Sequence, residues 1–465
     1  MTDGETADGE TGEMSEGLQV ELFHPESDRE PGDTNIQKYG FDIHPVVFPV
    51  ALGIISLFIA ITVILGKDAS QVYTDIFNFI NNTFGWFYIL AVNVFIVTIL
   101  FFAVSKYGNI RIGGVEAEKE FSDFSWMAML FSAGMGIGLM FFSVSEPMYY
   151  LQNVPGFFGA EPETNAAGVA ALTQTFFHWG FSPWAIYGLV GLGLAFFSFN
   201  RGLPLTFRSI FWPLLGDRIY GWPGHVIDLV TVFATLFGLA TSLGLGVAQV
   251  NRGMSYVGGN ILGIVDVPTG PIPQIVLIAA ITGIATLSVA AGLEGGVKRL
   301  STINLYLMFL LLGFLLVVGP TTYILGGLVS GLGSYLGNFA SLSFFTGTIG
   351  EGGGTVTAWT VFYWGWWIAW SPFVGMFIAR ISKGRTVREF VLGVLFLPAL
   401  FSFVWLATFG GSALFLELQG AGGVLGPYNA EGQTVAMFAM LEQFPLGALS
   451  GILATLLVVT FFVTS

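Results

Sequence analysis

Residues 356–380 read VTAWTVFYWGWWIAWSPFVGMFIAR, 24 residues without a charge and then Arg380. A helix of about 20 apolar residues crosses the roughly 30 Å hydrocarbon core of a bilayer, so this stretch is long enough to span one. Nine more such stretches lie near 46–66, 86–105, 124–150, 168–199, 225–250, 273–291, 301–327, 390–415 and 446–465. Segment 334–347, with Tyr335, Phe339, Phe344 and Phe345, reads as a short interfacial helix. Composition agrees: 54% of residues are hydrophobic, 10% are charged, and mean hydropathy is +0.75. A soluble domain carries about a quarter charged residues. Lipid is the solvent this chain is built for, and the expected fold class is an all-α integral membrane protein.

Charge is distributed unevenly along the chain. Residues 1–42 hold twelve acids against Arg29 and Lys38, which is −10 of the formal −14. Such a polar, acidic segment reads as a disordered tail, with no basic-then-apolar pattern of a cleavable signal peptide. Twelve of the 16 Lys and Arg residues fall in the loops after spans 2, 4, 6 and 8. They are Lys106, Arg111, Lys119, Arg201, Arg208, Arg218, Lys298, Arg299, Arg380, Lys383, Arg385 and Arg388. Basic loops stay in the cytoplasm. The N-terminus is therefore expected inside, and spans 4 and 8 both run from outside to inside.

Three stretches depart from ordinary lipid-facing helix. In span 3, Ser132-Ala133-Gly134-Met135-Gly136-Ile137-Gly138 places glycines at alternate positions. Small residues allow close helix packing. Alternate spacing does not share one helical face, however, and equally suits an unwound stretch whose carbonyls line a cavity or hold an ion. In span 4, Trp179, Trp184 and Tyr187 lie deep, with Tyr187 fourteen residues and about 21 Å from Arg201. Trp184 and Tyr187 share a face. His178 reads as a satisfied bundle residue, and Glu146, before Pro147, as facing an outer vestibule or capping a turn. In span 8, Phe362, Trp366 and Trp370 follow at i, i+4 and i+8, with Trp370 about 15 Å from the Arg380 end. Leu or Phe would serve for packing alone, whereas tryptophan offers the strongest cation–π face. A quaternary ammonium has no N–H to donate, so aromatic walls are the natural way to hold it.

The chain has no cysteine, hence no disulfide, thiolate metal site or cysteine nucleophile. It also lacks a P-loop, an HExxH motif and paired intramembrane carboxylates. No enzyme activity, cofactor or nucleic-acid partner is expected.

At these residues the chain closely resembles the betaine/carnitine/choline transporter family, especially its sodium-coupled glycine betaine members. The resemblance is carried by AGMGIGLMFFSVSEP (133–147), FHWGFSPWAIYGLVGLGLAFF (177–197), TVFATLFGLATSLGLG (231–246), FYWGWWIAWSPFVGMFIARISKGRTVREF (362–390) and TFFVTS (460–465). It implies an inverted-repeat secondary transporter fold, with two peripheral helices before two five-helix repeats. The chain then divides into a tail (1–45), peripheral helices with a cytoplasmic loop (46–123), a first repeat (124–330), and an interfacial helix with a second repeat (331–465). The resemblance also implies substrate contacts from Trp179, Trp184, Tyr187, Phe362, Trp366, Trp367 and Trp370 beside Gly134, Gly136 and Gly138. It implies a sodium site at Ser132, Met135, Phe461, Thr464 and Ser465, the oxygen-only ligation a hard cation prefers. A second sodium would use Thr235 and Phe373, where Leu239 replaces an expected hydroxyl. Homotrimers in the plasma membrane are implied as well.

Proton-coupled choline relatives tend to carry an acid where this chain has Gly138, so betaine is expected over choline and sodium over protons. A choline or carnitine carrier, an exchanger and a channel remain the alternatives. The sequence stops at Ser465 inside an apolar run, so the second repeat is expected to be truncated and the 465-residue chain a fragment, inactive by itself.

Overall fold

The computed structural model describes residues 33–134, 136–290, 298–348 and 353–464. Each apolar stretch has become helix. The first are α1 (Val47–Leu65), α2 (Ala69–Val104), α3 (Asp123–Gly134), α4 (Ile137–Gln152), α5 (Asn165–Trp179) and α6 (Phe181–Ala195). There follow α7 (Trp222–Ser255), α8 (Pro271–Ala290), α9 (Lys298–Val318), α10 (Thr321–Ser343), α11 (Gly353–Ile381) and α12 (Val387–Gln419). The last are α13 (Leu425–Glu431), α14 (Ala436–Glu442) and α15 (Gly447–Thr464). α1 buries only Ala51, with Leu57, Val63 and Ile64 exposed. A helix apolar all round and largely uncovered needs lipid as solvent, so this is a multi-pass membrane protein.

Three boundaries differ from expectation. α2 starts at Ala69 rather than near 86, because Asp75, Asn81 and Asn82 lower the hydropathy of its first turns without breaking them. The helix expected over 334–347 begins already at Thr321, bent 108° from α9 across Gly319 and Pro320. The end of the expected disordered tail forms a hairpin, β1 (Ile36–Lys38) with β2 (Phe41–Ile43), turned at Tyr39 and Gly40. Both turn residues have positive φ, as a two-residue hairpin turn requires. Residues 1–32 lie outside the described ones.

The chain forms two compact units. The first comprises residues up to 130, 182–238 and 358–397. Within it, the loops after α2, α6 and α11 are tied together. Ile112 N–H donates to the Arg385 carbonyl (2.9 Å), and Gly384 N–H and Val387 N–H donate to the carbonyls of Ile112 and Ile110 (both 2.8 Å). Asn200 accepts from Gly113 N–H and donates to the Arg111 carbonyl (both 2.9 Å). Gly384 has φ +83°, and a Cβ there would lie 2.1 Å from the Glu118 carbonyl oxygen, so only glycine closes the clasp. Arg388 Nε donates to the Ala103 carbonyl (2.8 Å), satisfying the C-terminal end of α2. Arg380 grips Glu120 with two bonds of 2.6 and 2.8 Å, and Arg385 meets Asp123 at 2.7 Å. These arginines hold both carboxyls below their ordinary range, with Lys119 also acting on Asp123.

The second unit comprises residues 131–181, 239–357 and 398–465. There α4 packs on α5, α5 on α10, and α15 on α8 and α9. Val247, Ile281 and Val463 centre a core joined by Leu243, Val459 and Phe462.

Candidate functional site

In the first unit, α6 and α11 approach through small residues. A Cβ on Gly375 would meet Val190 Cγ1 at 2.6 Å, and one on Gly191 would meet the Gly375 carbonyl at 3.2 Å. That closeness brings two aromatic runs together. Trp184 and Tyr187, both buried, pack edge to face with centroids 5.5 Å apart. Tyr187 meets Trp367 edge-on at 6.2 Å. Trp367 stacks on Trp366 at 4.8 Å and on Tyr363 at 5.7 Å, and Phe362 lies 5.8 Å from Trp366. Five of the expected substrate residues thus form one continuous aromatic wall.

Trp370 is placed differently. Its ring lies 5.1 Å from Phe373 and fits the space left by Gly238 of α7, where a Cβ would come within 2.9 Å of the indole. It is partly exposed. The stripe expected along one face therefore divides, because Trp366 turns to stack on Trp367 while Trp370 leans on α7. Thr235 lies one turn before Gly238 on α7.

The glycine stretch resolves its two readings in the second unit. α3 ends at Gly134 and α4 begins at Ile137, with Gly136 extended at φ −158° and ψ −174°. Nothing lies within 4 Å of where a Gly136 Cβ would be. Close packing is not what Gly136 provides; the helix is broken there. Met135, Ser465 and the side chains of Ser132, Gly134 and Thr464 lie outside the described residues. Gly138 is buried in the first turn of α4. Phe461 is buried on α15, and its neighbour Phe462 touches the same glycine as the broken helix. A Cβ on Gly246 of α7 would lie 2.4 Å from the Phe462 ring and 2.8 Å from Ile137. Asn304 of α9 donates to the Thr460 carbonyl at 2.9 Å. The start of α4 and the end of α15 thus meet at Gly246.

A second break was not foreseen. Span 4 is interrupted at Gly180, with ψ −128°, between α5 and α6. The Phe181 N–H released there donates to the Tyr335 hydroxyl at 3.0 Å. A Cβ on Gly180 would lie 2.6 Å from the Phe176 carbonyl and 2.7 Å from that hydroxyl. Pro183 gave the signal, since proline belongs in the first turn of a new helix.

Glu146 corrects its expectation. It neither faces a vestibule nor caps a turn; it is fully buried inside α4. Its carboxylate accepts from Trp179 Nε1 at 2.9 Å and lies 2.6 Å from His178 Nδ1. His178 is a satisfied bundle residue, with Gln174 Nε2 3.2 Å from its other nitrogen. The sequence signal was a carboxylate in an apolar span, which demands a partner. Among the described residues, no group of three or more His, Cys, Asp or Glu could hold a metal.

Comparison with known proteins fits this geometry. Residues 46–465 match the profile of the betaine/carnitine/choline family transporters. The chain is 46% identical over 439 residues to glycine betaine transporter 1 of Vibrio parahaemolyticus serotype O3:K6 (strain RIMD 2210633), covering 93% of this chain and 81% of that protein. It is 43% identical over 417 residues to a probable glycine betaine transporter of Desulfitobacterium hafniense (strain Y51), covering 90% and 81%. It is 40% identical over 428 residues to the high-affinity choline transport protein of Escherichia coli (strain K12), covering 91% and 61%.

Proposed function

The chain belongs to the betaine/carnitine/choline transporter family, and on that premise we propose that it takes up glycine betaine, or a close quaternary-ammonium osmolyte, by sodium symport. The observation that carries this reading is the aromatic wall of Trp184, Tyr187, Trp366 and Trp367, with Trp370 beside it on Phe373. Its rings offer π faces to a trimethylammonium head that cannot hydrogen-bond. In the other unit, the helix break at Gly136 is the kind of unwound stretch beside which a sodium ion takes backbone carbonyls as ligands. Gly138 adds no carboxylate beside betaine's own, which favours the zwitterion over choline. Sodium supplies the driving gradient, and the protein's part is to bind both solutes.

The test is radiolabelled glycine betaine uptake into proteoliposomes. Uptake that requires an inward sodium gradient, saturates and shows counterflow supports the proposal. Uptake driven equally by a proton gradient, or better displaced by choline than by betaine, overturns it.

A further inference from the structure

We propose that Glu146 is a positioning residue for the Trp179 indole. This rests on the reading of Trp179 as a substrate contact. Glu146, His178 and Gln174 are completely buried, and Trp179 is 7% exposed. A carboxyl group in such surroundings is costly unless its oxygens are hydrogen-bonded. Here each oxygen has a partner: Oε1 faces His178 Nδ1 at 2.6 Å and Oε2 receives the Trp179 indole N–H at 2.9 Å. Gln174 and His178 are four apart on α5, so the amide sits behind the ring it supports, 3.2 Å from Nε2. With Nδ1–H pointing to Glu146, Nε2 accepts from the Gln174 amide, and the imidazole orientation is fixed at both ends. Packing alone would leave an indole free to turn over. A bond from Nε1 to a fixed buried acceptor selects one orientation of the ring plane, and that plane is what a cation–π contact reads. The Phe142 ring of α4 lies tilted against the same indole, 6.0 Å between centroids.

The conservative variant has a defined outcome. In Glu146→Gln the new amide oxygen can accept from Trp179 while its N–H faces His178 Nδ1. The imidazole proton then moves to Nε2. Gln174 turns its amide to accept it with Oε1, an atom that otherwise has no hydrogen-bond partner. Glu146→Leu offers no acceptor to Trp179 at all.

The experiment uses the full chain labelled with 5-fluorotryptophan, the Trp179 ¹⁹F resonance being assigned by its loss in Trp179→Phe, with betaine affinity measured alongside. Glu146→Leu is expected to shift and broaden the Trp179 resonance and to weaken betaine binding about tenfold, while Glu146→Gln restores both. In the Trp179→Phe background, which has no indole N–H, Glu146→Leu should cost less than about twofold. An unmoved Trp179 resonance, or the full loss persisting in that background, overturns the proposal. If wild type fails to bind betaine while the resonance still responds, the substrate reading falls and the positioning role stands. Wild type provides a check that needs no variant: the Trp179 indole N–H should be protected from deuterium exchange, and its exchange within the dead time overturns the proposal.

Discussion

At the scale of single residues, the substrate reading turns on rings and on the glycines beside them. Trp370→Leu keeps an apolar side chain between Phe373 and Gly238 but removes the π face. Loss of one such contact, about 0.5 to 2 kcal/mol, predicts roughly 2- to 30-fold weaker betaine binding. An unchanged affinity in a titration of the purified variant would remove Trp370 from the site. Gly238→Ala tests the same ring from behind. Its Cβ would sit 2.9 Å from the indole, so Trp370 must move, and affinity should fall without any loss of aromatic surface. Gly138 addresses specificity. A carboxylate there, in the first turn after the break, would attract choline's bare cation and repel betaine's carboxylate. Gly138→Asp should therefore shift competition toward choline, read as the ratio of the two inhibition constants.

At the scale of elements, breaks carry more consequence than spans. Gly180 ends α5, and the Phe181 N–H it releases depends on the Tyr335 hydroxyl of α10, which is fully buried. Tyr335→Phe leaves that N–H without its acceptor, at a cost of about 1–3 kcal/mol, seen as a lower apparent melting temperature in detergent. An unchanged midpoint would mean another group satisfies Phe181. Sequence showed the spans because hydropathy is additive along a helix, and every apolar stretch became helical, three of them with a break. It showed the glycine break only as one of two readings, since alternate glycines serve packing as well as unwinding. The Gly180 break escaped because Gly-Phe-Ser-Pro fits both a kinked continuous helix and a fresh start. The Glu146 network escaped because its partners lie 32 and 33 residues away, and only tertiary packing brings α4 against α5. The aromatic wall was legible in its residues but not in how they divide, because ring stacking depends on rotamers that helical spacing does not set.

At the scale of the whole molecule, the basic loops predict an orientation, and two of their features can be tested. The Glu120–Arg380 and Asp123–Arg385 pairs hold carboxyls whose folded pKa values lie below the ordinary 4.5 and 3.8. Their stabilisation is present above those values and fades as pH falls through the depressed folded ones. The gap in melting temperature between wild type and Glu120→Gln/Asp123→Asn should therefore narrow below about pH 4. It should also shrink in high salt, since Glu120, Arg380 and Asp123 are exposed, though less for the pair whose Arg385 is buried. A gap constant from pH 7 to 3 would show that charge is not what these pairs contribute. Orientation itself follows from where the clasp sits. Twelve of 16 basic residues fall after even-numbered spans, and the loops after α2, α6 and α11 are hydrogen-bonded to one another. Three loops that meet must share one side of the bilayer, and an odd number of crossings between any two of them would be impossible. Charge bias then predicts that this side is the cytoplasmic one. The chain has no cysteine, so a single introduced thiol reports its own side without background. Lys67→Cys and Glu161→Cys occupy exposed loops that the span count predicts to lie outside; Glu116→Cys and Asp217→Cys occupy exposed positions in the loops after α2 and α6. A membrane-impermeant maleimide added to intact cells should label the first pair at once and the second only after permeabilisation. Labelling of Glu116→Cys and Asp217→Cys in intact cells would invert the topology, and with it the direction in which the sodium gradient drives uptake.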